Sequence, residues 1–315
     1  MSHGGMLVAA PERWDEVCFL VPAMRALVAS GLGTGILCPD SQRDFWETLP
    51  GLAVVSYPAK GKAKVVAGEI AGKWQASLVW EAGLAAEAFK IAAIPRRLGV
   101  NEKRLAKLLT HSLGSGPGPL EHRVRHYLSA VEELGVPTAR PEFFAPAEMG
   151  VSPAPGTVLL CPGSDFGPSH EWPLERWEEI ARPLMEGGQR ITIASVDGGR
   201  GLGKKLVGKL DEGVEFFQAS PLAGALPLLA VHSLVIAADG SLPHLAAHAG
   251  ATCVTLFGPN DPAWKRPLGK RHLVVKRHVE CAPCLLAKCP IDLRCQNELD
   301  TGRVKLAVLE KLGAL

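Results

Sequence analysis

The fold is decided by Ser233–Pro262, which reads SLVIAADGSLPHLAAHAGATCVTLFGPNDP. Short apolar runs at Leu234–Ala237 and Cys253–Phe257 predict two buried strands, and the spacing over Leu242–His248 predicts a helix between them. A strand–helix–strand unit of this length joins parallel strands. The turn Asp239-Gly240-Ser241 therefore lies at the carboxyl end of a strand and the start of a helix, where open α/β sheets bind ligands.

This turn has the composition of an anion site. The free N–H groups and the positive end of a helix dipole favour an anion there. Gly240 allows a phosphate to approach the backbone closely, Ser241 can cap the helix and donate its hydroxyl, and Asp239 and His244 flank the same place. The alternative is an ordinary helix cap with a histidine on one helix face.

Two further stretches extend the pattern. Pro162–Trp177 reads PGSDFGPSHEWPLERW, and Cys281–Cys295 reads CAPCLLAKCPIDLRC. Together with the first stretch they resemble glycosyltransferase family 9, which contains the bacterial lipopolysaccharide heptosyltransferases, and the cysteine run is most similar to the heptosyltransferase II branch. The resemblance is strongest from Val158 onward. It implies an α/β protein of the GT-B form, with two Rossmann-like parallel-sheet domains facing across a cleft that holds the active site.

Composition fits this architecture. The chain has 315 residues, 47% hydrophobic and 21% charged, which is typical of a globular protein of two domains. A formal charge of +2 does not favour nucleic-acid binding. We see no membrane-spanning run and no signal peptide, and expect a cytoplasmic protein. The proline-rich segment 135–156 is the predicted linker between an acceptor-binding domain (1–150) and a nucleotide-sugar-binding domain (151–315).

The first half begins with a predicted strand at Met6–Ala10, a loop at 11–16 and a helix at Val17–Ser30. The resemblance implies that an acid just before this helix is the catalytic base. Counting back from Pro22, Glu16 falls on that acid position and Asp15 on a position where the family has glycine. The base is therefore Glu16 or Asp15, unless both acids only favour the helix N-terminus.

Further strands are predicted in both halves, together with a long polar loop at 101–119. The predicted strands are Gly35–Leu37, Leu52–Tyr57, Ser77–Trp80, Val158–Cys161, Arg190–Ser195, Val214–Phe217 and His272–Lys276. The predicted helices of the second half, besides the one in the opening stretch, are Leu174–Glu186, Leu222–Leu229 and Thr301–Leu312.

Three more residues are candidates for donor binding. Ser164 lies in the turn after Val158–Cys161, where its hydroxyl can donate to a phosphate. By resemblance, His170 takes the place of a lysine that neutralises the leaving diphosphate, so it would act only when protonated. Asp197 follows a strand end and can accept from a ribose diol, as acids do in dinucleotide folds.

Cys281, Cys284, Cys289 and Cys295 have the spacing C-x2-C-x4-C-x5-C. Four thiols so close together suggest a structural metal ion such as zinc. Reduced thiols and two disulfides are the alternatives. Cys18, Cys38, Cys161 and Cys253 lie in apolar runs and are expected to be reduced core residues.

The leading hypothesis is an inverting glycosyltransferase. By resemblance the donor is ADP-heptose, and the acceptor is a lipid-linked or lipopolysaccharide core sugar, with possible contact at the inner face of the cytoplasmic membrane. No D-x-D motif is present to hold a catalytic metal, and no G-x-G-x-x-G follows the first strand. The alternatives are a nucleotide-sugar-binding relative without catalysis, and an enzyme of this architecture with another donor or an epimerase activity.

Overall fold

A computed structural model describes residues 4–114, 118, 121–196, 200–210, 213–220 and 222–313. The chain forms two compact units, an N-terminal unit at Met1–Ala145 and a C-terminal unit at Pro146–Leu315. The break between them lies inside the proline-rich segment 135–156.

The N-terminal unit is built on a six-stranded sheet with the order β3-β2-β1-β4-β5-β6. Every pairing is parallel. The order runs outward from β1 in both directions, so the neighbours β1 and β4 form the topological switch point. The strands are β1 Met6–Ala9, β2 Thr34–Pro39, β3 Ala53–Tyr57, β4 Ala76–Val79, β5 Arg96–Val100 and β6 His111–Leu113.

Its described helices are α1 Trp14–Ala29, α2 Arg43–Trp46, α3 Ala63–Ile70, α4 Leu84–Ile91 and α5 Val124–Glu133. Two local predictions were wrong. The first helix begins at Trp14 rather than Val17, so Asp15 and Glu16 lie in its first turn instead of a loop. Acidic side chains stabilise a first turn through the helix dipole, which explains the earlier start. The predicted loop at 101–119 contains β6, which extends the sheet at its edge.

The C-terminal unit repeats the same topology, with the order β12-β11-β10-β7-β8-β9 and parallel pairing throughout. The strand–helix–strand unit of the opening stretch is confirmed, because β10 and β11 pair in parallel with Val235 opposite Cys253. Here β7 and β10 form the switch point. The strands are β7 Ala154–Cys161, β8 Arg190–Val196, β9 Val214–Ala219, β10 His232–Ala238, β11 Thr252–Phe257 and β12 Leu273–Lys276.

The described helices of this unit are α6 Leu174–Glu186, α7 Leu202–Leu210, α8 Leu226–Val231, α9 Ser241–His248, α10 Pro262–Lys265, α11 Arg294–Asn297 and α12 Thr301–Gly313. The predicted helix at Leu222–Leu229 is instead a 3₁₀ turn followed by α8. None of the helices in the described ranges is both long and apolar enough to cross a lipid bilayer.

Two tryptophans fasten the loop after β7 to the core of the C-terminal unit. Trp172 and Trp177 are fully buried and meet edge to face, with their ring centroids 5.7 Å apart. Such aromatic pairs add about 1 kcal/mol to the burial of their surfaces. The Trp172 indole also donates to the Leu299 carbonyl at 3.1 Å. The loop between β7 and α6 is therefore held at both of its ends, by the strand and by this aromatic anchor.

Candidate functional site

The C-terminal site lies where β7 and β10 end side by side. Residues 162–173 follow β7 and residues 239–240 follow β10, and these two segments are called the switch-point loops below. Parallel sheets bind ligands at such a point because the two connections leave toward opposite faces and open a crevice between them. The predicted donor-binding residues Ser164, His170, Asp239 and Gly240 all lie on these loops, and Ser241 begins α9.

Asp239 is the centre of a buried polar network. The residue is 0% exposed, and its Oδ2 accepts from His170 Nδ1 at 3.0 Å and from Asn260 Nδ2 at 2.7 Å. Its Oδ1 has no hydrogen-bond partner within the part of the chain that the structure describes. Asp239 therefore does not present its carboxylate to solvent for binding sugar hydroxyls. It orients His170, and because Nδ1 is engaged, Nε2 is the ring atom left for a ligand.

The start of α9 already holds a carboxylate. Asp165 Oδ1 accepts from the Ser241 N–H at 2.8 Å, and Asp165 Oδ2 accepts from the Ser241 hydroxyl at 2.6 Å. The predicted cap by Ser241 is wrong, because Gly240 is the N-cap residue and no side-chain cap bond forms. In this structure the anion at the helix start belongs to the chain itself.

Gly240 makes room for this carboxylate, and Ser164 lies beside it. A Cβ at position 240 would lie 2.9 Å from Asp165 Oδ1, so the missing side chain admits Asp165 to the helix start. The Ser164 hydroxyl donates to the Asp239 carbonyl at 2.6 Å and is fully buried. Ser164 thus ties the two switch-point loops together, and its hydroxyl is not directed at a phosphate as the sequence suggested.

Two further residues, His244 and Asp197, were predicted to bind the donor. His244 is buried on α9, one turn after its start, so it does not present its ring to solvent. Asp197 lies outside the described residues, and its predicted contact with a ribose stays a prediction.

Two cations that the sequence did not single out lie near His170. The Lys265 ammonium is 5.8 Å from the centre of the Phe166 ring, and that ring meets the His170 ring edge to face at 5.6 Å. Next to His170 in sequence, the buried Glu171 carboxylate accepts from Arg200 Nε at 2.7 Å. Glu171 also accepts from the Ser164 N–H at 3.2 Å, so Arg200 is fixed beside the loop that carries His170.

The cysteine segment 281–295 braces the same loops. The Ser169 N–H donates to the Ala287 carbonyl at 3.2 Å, and the Leu285 N–H donates to the Pro259 carbonyl at 3.0 Å. Gly167 allows this contact, because its φ of +116° lies in the left-handed region and a Cβ there would be 2.5 Å from the Ala287 oxygen. The segment between Cys284 and Cys289 therefore packs against the loop that carries His170 and against Pro259 after β11.

The four cysteines of this segment are free thiols, as are the other four in the chain, so the two-disulfide alternative is not realised. Burial, followed by the charges of the other three thiols, raises the pKa of Cys295 to about 11. Across the described ranges, which include all four positions, no three His, Cys, Asp or Glu side chains are grouped to hold a metal ion. The geometry therefore does not support the predicted metal site at Cys281, Cys284, Cys289 and Cys295.

The N-terminal unit has its own pocket of ≈ 360 Å³ at the β1/β4 switch point. Carboxylates, arginines and aromatic rings line it, and it is called the acidic pocket below. Its lining residues are Pro11, Glu12, Arg13, Glu16, Trp80, Glu81, Arg123, His126 and Tyr127.

The two candidate bases, Glu16 and Asp15, differ in their exposure and in their hydrogen-bond partners. Glu16 lines the acidic pocket and is 8% exposed. Its carboxylate accepts from Arg123 Nε at 3.0 Å, from Arg123 Nη2 at 3.2 Å and from the Tyr127 hydroxyl at 2.8 Å. Asp15 is 0% exposed, does not line the pocket, and is paired with Arg13 at 2.9 and 3.1 Å. A reacting group must reach its substrate, so Glu16 is the better candidate of the two.

Glu81 is a pocket carboxylate that the sequence analysis missed. It follows β4 and lines both the acidic pocket and an adjoining pocket of ≈ 130 Å³. Partial burial, and then the charges of Glu12 and Glu16, raise its pKa above the ordinary value. No motif surrounds it in the sequence. Its position directly after a switch-point strand was the one available signal.

Comparison with known proteins decides the family. A model of glycosyltransferase family 9 (heptosyltransferase) matches residues 119–294, which is more than half of the chain. The chain belongs to glycosyltransferase family 9. A lipopolysaccharide heptosyltransferase 1 from Pseudomonas aeruginosa is 31% identical over 139 residues, 43% of this chain and 38% of that protein. The matches to the first curated relatives thus span little more than a third of their length.

Solved structures of this family share the fold over the whole chain. The glycosyltransferase family 9 protein from Veillonella parvula superposes with a TM-score of 0.83 at 15% identity, covering 100% of this chain and 99% of that one. The ADP-heptose lipopolysaccharide heptosyltransferase II from Escherichia coli gives a TM-score of 0.78 at 18% identity, covering 98% of both chains. At such identities the likeness shows the GT-B fold that was predicted.

Proposed function

We propose that the protein is an inverting glycosyltransferase that moves a heptose from ADP-heptose to a lipopolysaccharide core acceptor. The observation that carries this is the buried His170–Asp239–Asn260 network at the β7/β10 switch point, beside the start of α9. A crevice of this kind with a fixed histidine and an anion-favouring helix start is suited to a nucleotide diphosphate. The C-terminal unit would bind the donor, and the acidic pocket of the N-terminal unit would bind the acceptor.

In this mechanism a carboxylate of the acidic pocket, where Glu16 lies and Asp15 does not, takes the proton of the acceptor hydroxyl. The freed oxygen attacks the anomeric carbon, and the bond from that carbon to the diphosphate breaks. Negative charge then builds on the leaving diphosphate. We propose that His170 Nε2, Lys265 and Arg200 stabilise it, and that transfer needs no metal ion.

The proposed donor and acceptor are inferred from the names of related proteins. The Escherichia coli structure is named for ADP-heptose and lipopolysaccharide, and the curated relatives are lipopolysaccharide or lipooligosaccharide heptosyltransferases. We extend these substrates to this chain because it belongs to the same family. An acceptor of this type is anchored in lipid, so the reaction would take place at the inner face of the cytoplasmic membrane.

Calorimetric titration with ADP, UDP, GDP and CDP at pH 6 and pH 8 tests the donor. We expect selective binding of ADP, lost in a His170→Ala variant and retained in Glu175→Gln, an exposed substitution on α6. Preference for another nucleotide would contradict the donor assignment. Release of ADP from ADP-heptose only when a heptose-deficient lipopolysaccharide is added would support transfer itself.

A second candidate is a nucleotide-sugar-binding relative without catalysis. It is favoured by Asp165, whose carboxylate occupies the Ser241 N–H and hydroxyl where a diphosphate was expected. A diphosphate that uses these groups must displace Asp165. Nucleotide binding without any transfer or donor hydrolysis would select this candidate. An Asp165→Ala variant that binds ADP more tightly than the wild type would show that the carboxylate competes with the ligand.

A further inference from the structure

We propose that Glu12 and Glu81 select an acceptor sugar without negative charge, by accepting hydrogen bonds from its hydroxyl groups. This inference rests on the proposed function, because it assumes that the acidic pocket binds the acceptor. Glu16 keeps the role of the base. The inference adds the chemical class of the sugar that enters the pocket, which carries hydroxyls there and neither a carboxylate nor a phosphate.

Glu12 and Glu81 lie where two cavities meet. The acidic pocket and the adjoining pocket of ≈ 130 Å³ have Glu12, Trp80 and Glu81 in common. Glu12 follows β1 and Glu81 follows β4, so the pairing of these strands brings both residues to the same edge of the sheet. Both are exposed, whereas Glu16 is 8% exposed. A ligand that fills either cavity therefore lies beside these two carboxylates.

The two arginines of the pocket are already paired with other carboxylates. Arg123 donates to Glu16 from Nε at 3.0 Å and from Nη2 at 3.2 Å. Arg13 donates to Asp15 in the same bidentate way, at 3.1 and 2.9 Å. Such charge-assisted pairs are among the strongest hydrogen bonds in proteins. An acidic sugar would have to compete with these carboxylates for the guanidinium groups.

Glu12 and Glu81 lack a cation of this kind. Among the residues that the structure describes, neither carboxylate takes part in an ion pair. The Glu81 carboxylate accepts a hydrogen bond from the backbone N–H of Glu12, which holds it beside the loop after β1. The boundary between the two cavities therefore presents negative charge and oxygen acceptors to a ligand.

This arrangement favours hydroxyl groups over anionic groups. An ionised carboxylate is only an acceptor, and a sugar hydroxyl can donate to it in a charge-assisted hydrogen bond. A carboxylate on the sugar has no hydrogen to donate at neutral pH. It also carries the same sign of charge as Glu12 and Glu81, and like charges brought together oppose binding.

Trp80 supplies the apolar part of the same boundary. Its indole Nε1 donates to the Ala9 carbonyl at 3.0 Å, so the polar atom of the ring is engaged within the protein. The ring lines both cavities, between Glu12 and Glu81. Ligand sites combine apolar and aromatic surface with a few polar groups that fix the orientation of the ligand. A sugar has both kinds of surface, since its C–H groups are apolar and its hydroxyls are polar.

Saturation-transfer NMR with the full-length chain tests this selection without requiring transfer. Methyl α-mannoside and methyl α-mannuronate differ only in the carboxylate at one carbon. The wild type should bind the mannoside about 10-fold more tightly, because both pocket carboxylates repel the added charge. In the double variant Glu12→Gln/Glu81→Gln the two affinities should come within about twofold of each other. Glu87→Gln, an exposed change on α4, is the matched control and should retain the full preference.

Steady-state kinetics separate selection from catalysis. ADP release from ADP-heptose is measured with a heptose-deficient lipopolysaccharide as acceptor. The double variant Glu12→Gln/Glu81→Gln should change KM for the acceptor and keep kcat within about 10-fold, because Glu16 is intact. Glu16→Gln should lower kcat by about 100-fold or more, the usual contribution of a general base. By NMR, Glu16→Gln should still prefer the mannoside to the mannuronate.

Three NMR results would overturn the proposal. They are equal or tighter binding of the mannuronate by the wild type, a preference for the mannoside that survives in the double variant, and no binding of either sugar. A tenfold fall in kcat or more in the double variant, with unchanged sugar binding, would also overturn it. A wild type that prefers the mannoside but transfers to no acceptor would defeat the proposed function itself, so the two failures are distinguishable.

Discussion

The two units of the chain have one topology and two opposite chemistries. Read outward from the switch point, both sheets have the same strand order, with β1 and β4 in one unit matching β7 and β10 in the other. In the N-terminal unit this point collects the carboxylates Glu12, Glu16 and Glu81. In the C-terminal unit it collects the His170–Asp239–Asn260 network, with Arg200 bound to Glu171 and Lys265 beside Phe166. Topology thus fixes where a ligand binds, and side chains fix which ligand it is.

The difference follows from the partners that the acidic side chains have in each unit. In the C-terminal unit, Asp239 Oδ2 accepts hydrogen bonds from His170 and Asn260, and the Glu171 carboxylate accepts from Arg200. These bonds hold His170 and Arg200 in place. In the N-terminal pocket, Glu81 faces other carboxylates instead of donors from a cation. Under the proposed function, the first arrangement would place cations beside an anionic leaving group, and the second would place carboxylates beside the acceptor hydroxyl.

The largest effect is expected from Asp239→Ala. The substitution leaves the His170 Nδ1–H and the Asn260 amide without their common buried acceptor. Two unsatisfied buried groups cost about 3 kcal/mol in unfolding free energy. We expect this loss in denaturant titrations, together with loss of ADP binding by calorimetry. Asp239→Asn keeps one acceptor oxygen and should lose less. Normal ADP binding by Asp239→Ala would show that the network is only structural.

Acid should weaken the C-terminal unit through His272. Burial, then the charge of Arg271, lowers the pKa of His272 to about 4, and its Nδ1 accepts from the Cys253 N–H at 3.2 Å. The unfolded state binds the proton near pH 6.5, whereas the folded state does so only near pH 4. Stability is therefore full above pH 6.5 and falls as the pH drops toward 4, by about 2 kcal/mol at pH 5.

His272→Gln is the control for this acid response. Its amide oxygen can accept from Cys253 and does not titrate, so the variant should lose less stability between pH 7.5 and pH 5 than the wild type. Denaturant titrations at both pH values measure the difference. Equal pH dependence of the two proteins would contradict a neutral, half-buried His272.

Gly167→Ala should disturb the contact between its loop and the cysteine segment 281–295. Its φ of +116° is unfavourable for any L side chain, and the added Cβ would meet the Ala287 oxygen. We expect a loss of about 1.5 kcal/mol in unfolding free energy, because strained backbone of this kind costs 1–3 kcal/mol. ADP affinity should fall, since the loop also carries His170. Gly208→Ala on α7, where a Cβ meets nothing within 4 Å, is the matched control.

The sequence predicted where the strands and the turn of the C-terminal site lie better than it predicted which side chains meet there. The apolar runs on either side of Asp239 were sufficient to locate the parallel strands β10 and β11 and the turn after β10. Apolar spacing and glycine are local patterns, which a single sequence contains. The partners at that turn were not predictable. Asp165 and Ser241 are 76 positions apart, and no spacing rule connects them. The sequence therefore predicted an anion site at this turn, but not that the Asp165 carboxylate occupies it.

The same limit applies to the acidic pocket. Glu16 could be placed by counting from Pro22, whereas its partners Arg123 and Tyr127 lie 107 and 111 positions further along the chain. Glu81 has neither a motif nor a charged neighbour in sequence to mark it. Its importance arises only when the β1/β4 pairing brings it to Glu12 and Glu16. Pairing across a sheet is a nonlocal property, which single-sequence patterns do not contain.

The smallest effect is expected from Tyr127→Phe, which probes the acidic pocket alone. Burial, and then the charge of Glu16, raise the pKa of Tyr127 well above its ordinary value, so its hydroxyl stays a donor to Glu16 at every working pH. Its removal should cost about 1 kcal/mol, because Arg123 still pairs with Glu16. Tyr57→Phe, at the other tyrosine of the chain, is the matched comparison in denaturant titrations. An unchanged Kd for ADP in Tyr127→Phe, with a raised KM for the acceptor, would place acceptor binding in this pocket. A change in ADP affinity instead would mean that the two sites do not divide donor and acceptor between them.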